Sequence, residues 1–200
     1  MIVSVILAHP RPGSFNHAIA GTVVQALTSQ GYAVHFHDLY AERFDPVLQY
    51  DEIPRDAPLD PLVAQHCREI AEADGIVIVH PDWWGQPPAI LKGWIDRVIR
   101  PGVAYRFREG DNGEGIPAGL LVAKAALVFN TANTPPQRER DVFGDPLERL
   151  WNDCIFSFCG VPVFHRRMFA VVVASTDAQR AAWLAEADAT TRQYFPRVCG

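Results

Sequence analysis

The sequence predicts an α/β domain built on a doubly wound sheet of five parallel strands in the order 2-1-3-4-5, over one domain of residues 1–200. Two observations predict it. Five apolar runs, at residues 2–8, 33–37, 75–80, 124–129 and 168–174, are near-continuous rather than alternating, as in strands buried on both faces. The segments between them place apolar residues at helical spacing, so strand and helix alternate along the chain. Right-handed crossovers then leave few topologies, of which this order suits five strands.

The first strand ends at His9-Pro10, and a turn-rich segment leads to a helix near Asn16 with Ile19, Val23 and Leu27 on one face, stopped by Gly31. Residues 33–37 form the second strand, and a long loop marked by Asp45-Pro46 and Asp56-Ala57-Pro58 precedes a helix over 60–73. The third strand, 75–80, runs into HPDWWGQPPAILKGW, where Pro87 or Pro88 opens a helix whose stripe is Ile90, Leu91, Trp94, Ile95, Val98 and Ile99. Arg97 and Arg100 stand near its negative end. Residues 103–122, including REGDNGEGIPAG, form an excursion, a surface loop or hairpin. The fourth strand leads through a polar loop, 130–141, to a helix over 146–159 closed by Gly160. After the fifth strand, Thr176-Asp177-Ala178-Gln179 has the capping-box pattern and opens a helix reaching Phe195.

Composition narrows the function. A chain of 200 residues buries roughly 70% of its unfolded surface and needs no disulfide staple. A net charge of −5 argues against a nucleic-acid binder. Cys67, Cys154, Cys159 and Cys199 show no CxxC or zinc spacing, so no metal and no disulfide is expected. The first apolar segment lacks a basic n-region and is too short to span a bilayer, which gives the expectation of a cytoplasmic protein with no membrane insertion.

In such a sheet, ligands bind beyond the strand carboxyl ends where the strand order reverses, among the loops after strands one, three and four. In the first loop, HPRPGSFNHA, Gly13, Ser14, Asn16 and a helix N-terminus suit a phosphate, although Ser14 or Asn16 could simply cap the helix. It is neither GxGxxG nor a P-loop. In the second, Pro81, Trp83, Trp84 and Gly85 stand at the crevice edge. Two adjacent residues cannot both point inward, so at least one tryptophan faces the crevice or a partner. His80-x-Asp82 lacks a third metal ligand nearby. In the third, NTANTPPQRERD, small polar side chains and free N–H groups suit a heteroaromatic edge. Arg138 and Arg140 there read as phosphate contacts or as a solvated face. A phosphate cradle, an aromatic wall and a polar edge together suit a flavin.

At these residues the sequence resembles the NAD(P)H quinone reductases, which are flavodoxin-like flavoenzymes. HPRPGSFNHA is similar to their His-x4-Ser-Phe-Asn loop, and PDWWGQPPAILKGWIDRV to their Pro-x-x-Trp…Pro-Ala-Ile-Leu-Lys-Gly-Trp segment; AYRF and FCGV also have counterparts. The resemblance implies a flavodoxin-like homodimer that oxidises NAD(P)H and reduces a quinone or similar small electrophile through bound FAD or FMN, with the FAD-using relatives closer in the first loop. It implies that His9, Ser14, Phe15, Asn16 and Ala18 hold the flavin's phosphate side. Pro81, Asp82, Trp83, Trp84 and Gly85 would line the isoalloxazine, and Asn130, Thr131, Ala132 and Asn133 would bond its polar edge. No side chain is assigned as catalytic, because the flavin carries the chemistry. Trp94, Phe107 and Phe158 are candidate dimer contacts. The family's two glycines in the fourth-strand loop are Ala132 and Asn133 here, and no tyrosine or histidine follows them there. Two other classes compete: a flavin-binding ancillary subunit of an ion-efflux system, and a hydrolase using Ser14, which lacks the G-x-S-x-G elbow.

Overall fold

The computed structural model describes residues 1–108 and 115–197. In chain order its elements are β1 (Ile2–Leu7), α1 (Phe15–Ser29), β2 (Ala33–Asp38), α2 (Pro61–Glu72), β3 (Gly75–Pro81), α3 (Ala89–Val98), β4 (Tyr105–Phe107) and β5 (Pro117–Gly119). There follow β6 (Ala125–Ala132), α4 (Pro136–Phe143), α5 (Pro146–Arg149), which runs on as a π-helical turn Leu150–Ser157, β7 (Phe164–Ala170) and α6 (Asp177–Tyr194). The main sheet has the order β2-β1-β3-β6-β7, parallel throughout, which is the 2-1-3-4-5 order expected for its five strands.

Alternate residues of the central strands feed two separate cores. Ile76 and Ile78 of β3 join Leu91, Trp94 and Trp151 on one face, while Val77 and Val79 join Ile19, Val23 and Ala187 on the other. Thus α1 and α6 cover one face, and α2, α3 and the turn after α5 cover the other. The caps follow local sequence: Ser14 accepts from His17 N, Asp60 accepts from Leu62 N and Val63 N, and Thr176 and Gln179 form the expected capping box.

Four boundaries differ from the sequence reading. The fourth strand continues through Ala132, so Asn130, Thr131 and Ala132 are ladder residues, paired with Met168, Phe169 and Ala170 of β7. Their polarity resembles a loop, but the backbone is held by strands on either side. The fifth strand is Phe164–Ala170 rather than 168–174. His165, Arg166 and Arg167 disguise it, and its charged groups are satisfied laterally, Arg167 by Glu186 and Arg166 by Asp145 and Glu148. The apolar Val172–Ala174 that looked like strand is a 3₁₀ turn. Much of the expected polar loop after the fourth strand is α4, begun by Pro136 and ended by Gly144 at φ 72°. The excursion contains the antiparallel pair β4–β5, while residues 109–114 of REGDNGEGIPAG, and Cys199, lie outside the described residues.

The long β2–α2 loop is clamped to α3. Arg97 is buried rather than merely complementing a helix end; it bonds Glu52 at 2.9 and 2.5 Å and donates to Asp45 O at 2.6 Å. Gly93 lets the Pro46 backbone close in: a Cβ there would stand 2.1 Å from Pro46 O. Burial pushes the thiols of Cys67 and Cys159 up to about 11 and about 12, as in inert core cysteines.

A second polar link joins β2 to α2. His37, buried, meets Glu42 Oε1 at 2.8 Å and Glu69 Oε2 at 2.5 Å, and lies against a tilted His66 with ring centroids 3.9 Å apart. Burial opposes its charge, but the bonds to Glu42 and Glu69 prevail and raise its pKa. Burial likewise opposes ionisation of Glu42, and the bond from His37 together with the His66 ring, 3.3 Å away at Nε2, overcomes it and holds Glu42 down at about 2. The raised histidine stabilises the fold fully below its unfolded value of 6.5, and that contribution fades as pH climbs through the folded value above it. The depressed glutamate contributes above 4.5, and its share is lost as pH falls towards 2. The stability advantage of the wild type over His37→Gln in urea melts is therefore expected to be greatest between these limits and to shrink above pH 6.5. An advantage that keeps growing above pH 6.5 would contradict the link.

Candidate active site

The carboxyl ends of β1, β3 and β6 open on a cavity of about 440 Å³. From the first loop it is lined by His9, Arg11, Ser14, Phe15 and Asn16, from the second by Pro81, Asp82 and Trp83, and from the β6 end by Thr131, Ala132, Asn133 and Thr134. Val172 and Val173 close the far side, pinned where Val173 N donates to Asn133 Oδ1 at 2.9 Å. Of the residues assigned from sequence, Ala18, Trp84, Gly85 and Asn130 do not line this cavity. Ala18 is exposed on α1, and Asn130 is fully buried in β6.

Of the two roles the sequence left open for Ser14, the cap is present, and the cap leaves it facing the cavity. Its Oγ lies 2.8 Å from His17 Nδ1, whose Nε2 meets Asp38 Oδ2 at 3.1 Å. His9 lies between the His17 and Trp83 rings, at 6.3 and 6.5 Å. Its Nδ1 accepts from Arg11 N at 3.1 Å, and burial lowers its pKa, so at neutral pH it is an uncharged donor at Nε2. The phosphate-suited charge at this end is Arg11, which the sequence reading passed over although it stands one turn ahead of a helix N-terminus. Asn16 donates from Nδ2 to Thr131 Oγ1 at 2.9 Å, tying the first loop to β6, and its Oδ1 is buried without a protein partner.

The two tryptophans part company. Trp83 and Gln86 exchange backbone bonds of 3.0 and 3.1 Å, and the residues between them, Trp84 and Gly85, have φ of 61° and 69°, the signature of a type I′ turn. Trp83 lines the cavity, whereas Trp84 is fully exposed. Asp82 Oδ1 braces the turn by accepting from Gly85 N at 2.9 Å. On the other side of the turn lies a second cleft of about 520 Å³, lined by Trp84, Gly85, Glu139, Phe143 and Pro146, which shares Asp82, Ala132 and Thr134 with the first. Glu139 and Phe143 were missed because α4 was read as loop.

Neither metal arrangement holds. His80 is buried, donates from Nδ1 to Pro81 O at 2.8 Å and accepts at Nε2 from Trp151 Nε1 at 3.0 Å; burial pushes its pKa down to about 4. Both nitrogens are engaged, so it is a structural imidazole. Among the described residues, His37, Glu42 and His66 bring ligand atoms within 4.8 Å of one another. Trp94 Nε1 donates to His66 Nδ1 at 2.9 Å, so the ring proton sits on Nε2, 3.3 Å from Glu42 Oε2. Coordination through Nε2 would leave the ring with no proton, and this donor set does not suit a cation.

Comparison with known proteins fits this geometry. The family described by the flavodoxin-like fold matches residues 1–194. An uncharacterized NAD(P)H oxidoreductase of Haemophilus influenzae is 33% identical over 193 residues, 90% of this chain and 89% of that protein. The chain belongs to the flavodoxin-like NAD(P)H quinone reductase family. As a member it is an oxidoreductase. Mouse ribosyldihydronicotinamide dehydrogenase [quinone] is 30% identical to this family member, over 92% of this chain and 87% of its own. The solved structure of Smu.1420 from Streptococcus mutans superposes on the reductase fold with a TM-score of 0.83, at 30% identity over 96% of this chain and 100% of that one.

Because Trp84 pays for a left-handed backbone with a side chain that packs against nothing in its own chain, Trp84→Gly is expected to raise unfolding stability by roughly 1 kcal/mol. Chemical denaturation checks this, and a clear loss of stability would show that the indole is anchored.

Proposed function

We propose that the protein is an NAD(P)H-dependent flavin oxidoreductase that passes two electrons through FAD or FMN to a quinone or similar small electrophile. The observation that carries the reading is the first cavity, where a cation and a helix N-terminus, an aromatic wall and a polar strand end converge. The partnerless buried Oδ1 of Asn16 beside that cavity is an acceptor waiting for a donor, which fits a group bearing N–H or O–H. Ser14, Arg11 and the first turn of α1 would take the phosphate side, Trp83 would flank the ring, and Thr131 to Asn133 would meet its polar edge. A bound flavin would supply the electron transfer itself. The protein would hold and orient the ring.

The reading extends to a cytoplasmic homodimer of one-domain subunits, without nucleic-acid partners or membrane insertion; among the described residues no helix is long and apolar enough to cross a membrane. Of the aromatics considered for the dimer contact, Trp94 is buried in the monomer core and Phe158 packs against it, which leaves Phe107, about half exposed.

Anaerobic addition of NADH or NADPH to flavin-loaded protein is expected to bleach the visible flavin bands, and a quinone to restore them; a protein that keeps no flavin would overturn the reading. Trp83→Ala is expected to weaken flavin retention by about tenfold or more, through the loss of an aromatic contact surface, and Trp84→Ala by much less. Equal losses would mean the wall is misassigned. Asn16→Asp places a carboxylate beside the phosphate side and removes the donor to Thr131, and equilibrium dialysis should record weaker binding by about tenfold; unaltered retention would count against the cradle.

A further inference from the structure

Asp82, at the end of β3, lines both cavities, and Glu139 of α4 faces it across the second cleft with only 3% of its surface exposed. Both carboxyl groups line this cleft, and the charge of Asp82 opposes ionisation of Glu139. Two carboxylates have no donor to offer each other, so neighbours of this kind bond one another only when one of them holds a proton. The nearby cation relieves them only in part, and both remain raised. Arg166 spends Nε on Glu148 at 3.0 Å, NH1 on Asn130 Oδ1 at 2.9 Å and NH2 on Asp145. Asp145 and Glu148 already outweigh its charge. The neighbouring imidazole, His80, is neutral and engaged with Pro81 and Trp151. Burial pushes both Asp82 and Glu139 up, and for Glu139 the charge of Asp82 adds to it. The Gly85 N–H favours the ionised form of Asp82, which leaves the proton on Glu139.

We propose that Asp82 and Glu139 hold one proton between them in the wall of the second cleft and give it to the acceptor reduced there. The inference rests on the reductase reading above and adds the group that completes the reaction. An acceptor carbonyl that receives two electrons and one proton together becomes an oxyanion. The Glu139 O–H bond breaks, a new O–H bond forms on the acceptor oxygen, and the negative charge passes to the carboxyl pair, which water then reprotonates. The sum is NAD(P)H, one proton and quinone giving NAD(P)⁺ and hydroquinone. The cleft, walled by Phe143 and Pro146 with the exposed Trp84 at its rim, fits a small aromatic acceptor of this proton-consuming kind.

Infrared titration of the protein reads the pair directly. A protonated-carboxyl band is expected to persist above the ordinary carboxylate range and to disappear in Glu139→Gln, a substitution of equal size whose amide can donate to Asp82. In the flavin-loaded enzyme, menadione reduction by that variant should fall about tenfold or more relative to its reduction of ferricyanide, which takes electrons without a proton. The alkaline fall of the wild-type menadione profile should vanish with it, and Glu139→Asp should restore both. A working reductase with no such band, or with an unchanged menadione-to-ferricyanide ratio, would overturn the acid assignment alone. A protein that holds no flavin and reduces neither acceptor would overturn the reductase reading, and the proton transfer with it.

Discussion

The site depends on the double burial of β3. All seven of its residues are buried, its backbone pairs with β1 on one side and β6 on the other, and its side chains alternate between two cores. A strand held that completely ends abruptly: its last paired residues are His80 and Pro81, opposite Asn130 and Thr131. The chain leaves β1 for the face covered by α1 and leaves β3 for the face covered by α3. The gap between these departures is the crevice. Its walls stand on strand ends, so the positions of Asp82, Trp83 and Thr131 are set by the sheet.

The same arrangement concentrates charge at the far side of β6. Arg166 on β7 is shared among Asn130, Asp145 and Glu148, which locks the sheet edge to the start of α5. Locally the acids outnumber this cation, and burial amplifies the imbalance by denying the surplus carboxyls water. A sheet edge stabilised by one arginine thereby creates a place where a carboxyl group keeps its proton. The network around His37 also sets one cation between two acids, but there the imidazole meets both Glu42 and Glu69, and the result is a charged pair of links rather than a stored proton.

Much of this was legible in the sequence. The strand order followed from the near-continuous apolar runs, which mark β1, β3 and β6 because these are buried on both faces, while the fifth run met β7 only at Met168–Ala170. Ser14 and Asn16 were legible from the turn chemistry ahead of α1, and Thr176-x-x-Gln179 from its cap. What stayed hidden depended on partners distant in the chain. Arg166 and Arg167 disguised β7 since their acids lie on α5, the residue before it and α6. Asn130 and Thr131 resembled loop because the strands that hold their backbone are elsewhere. Trp83 and Trp84 were equivalent as letters, and the type I′ turn that separates them is a matter of backbone sign. Glu139 gave no signal, as its burial arises from a helix the sequence did not mark.

The most direct test of the central claim is a crystal structure of the protein with FAD or FMN. The isoalloxazine is expected beside Trp83, between the ends of β3 and β6, with phosphate at Ser14 and Arg11 and a donor on Asn16 Oδ1. Flavin bound elsewhere, or none in the crevice at saturating concentration, would contradict the assignment of this site.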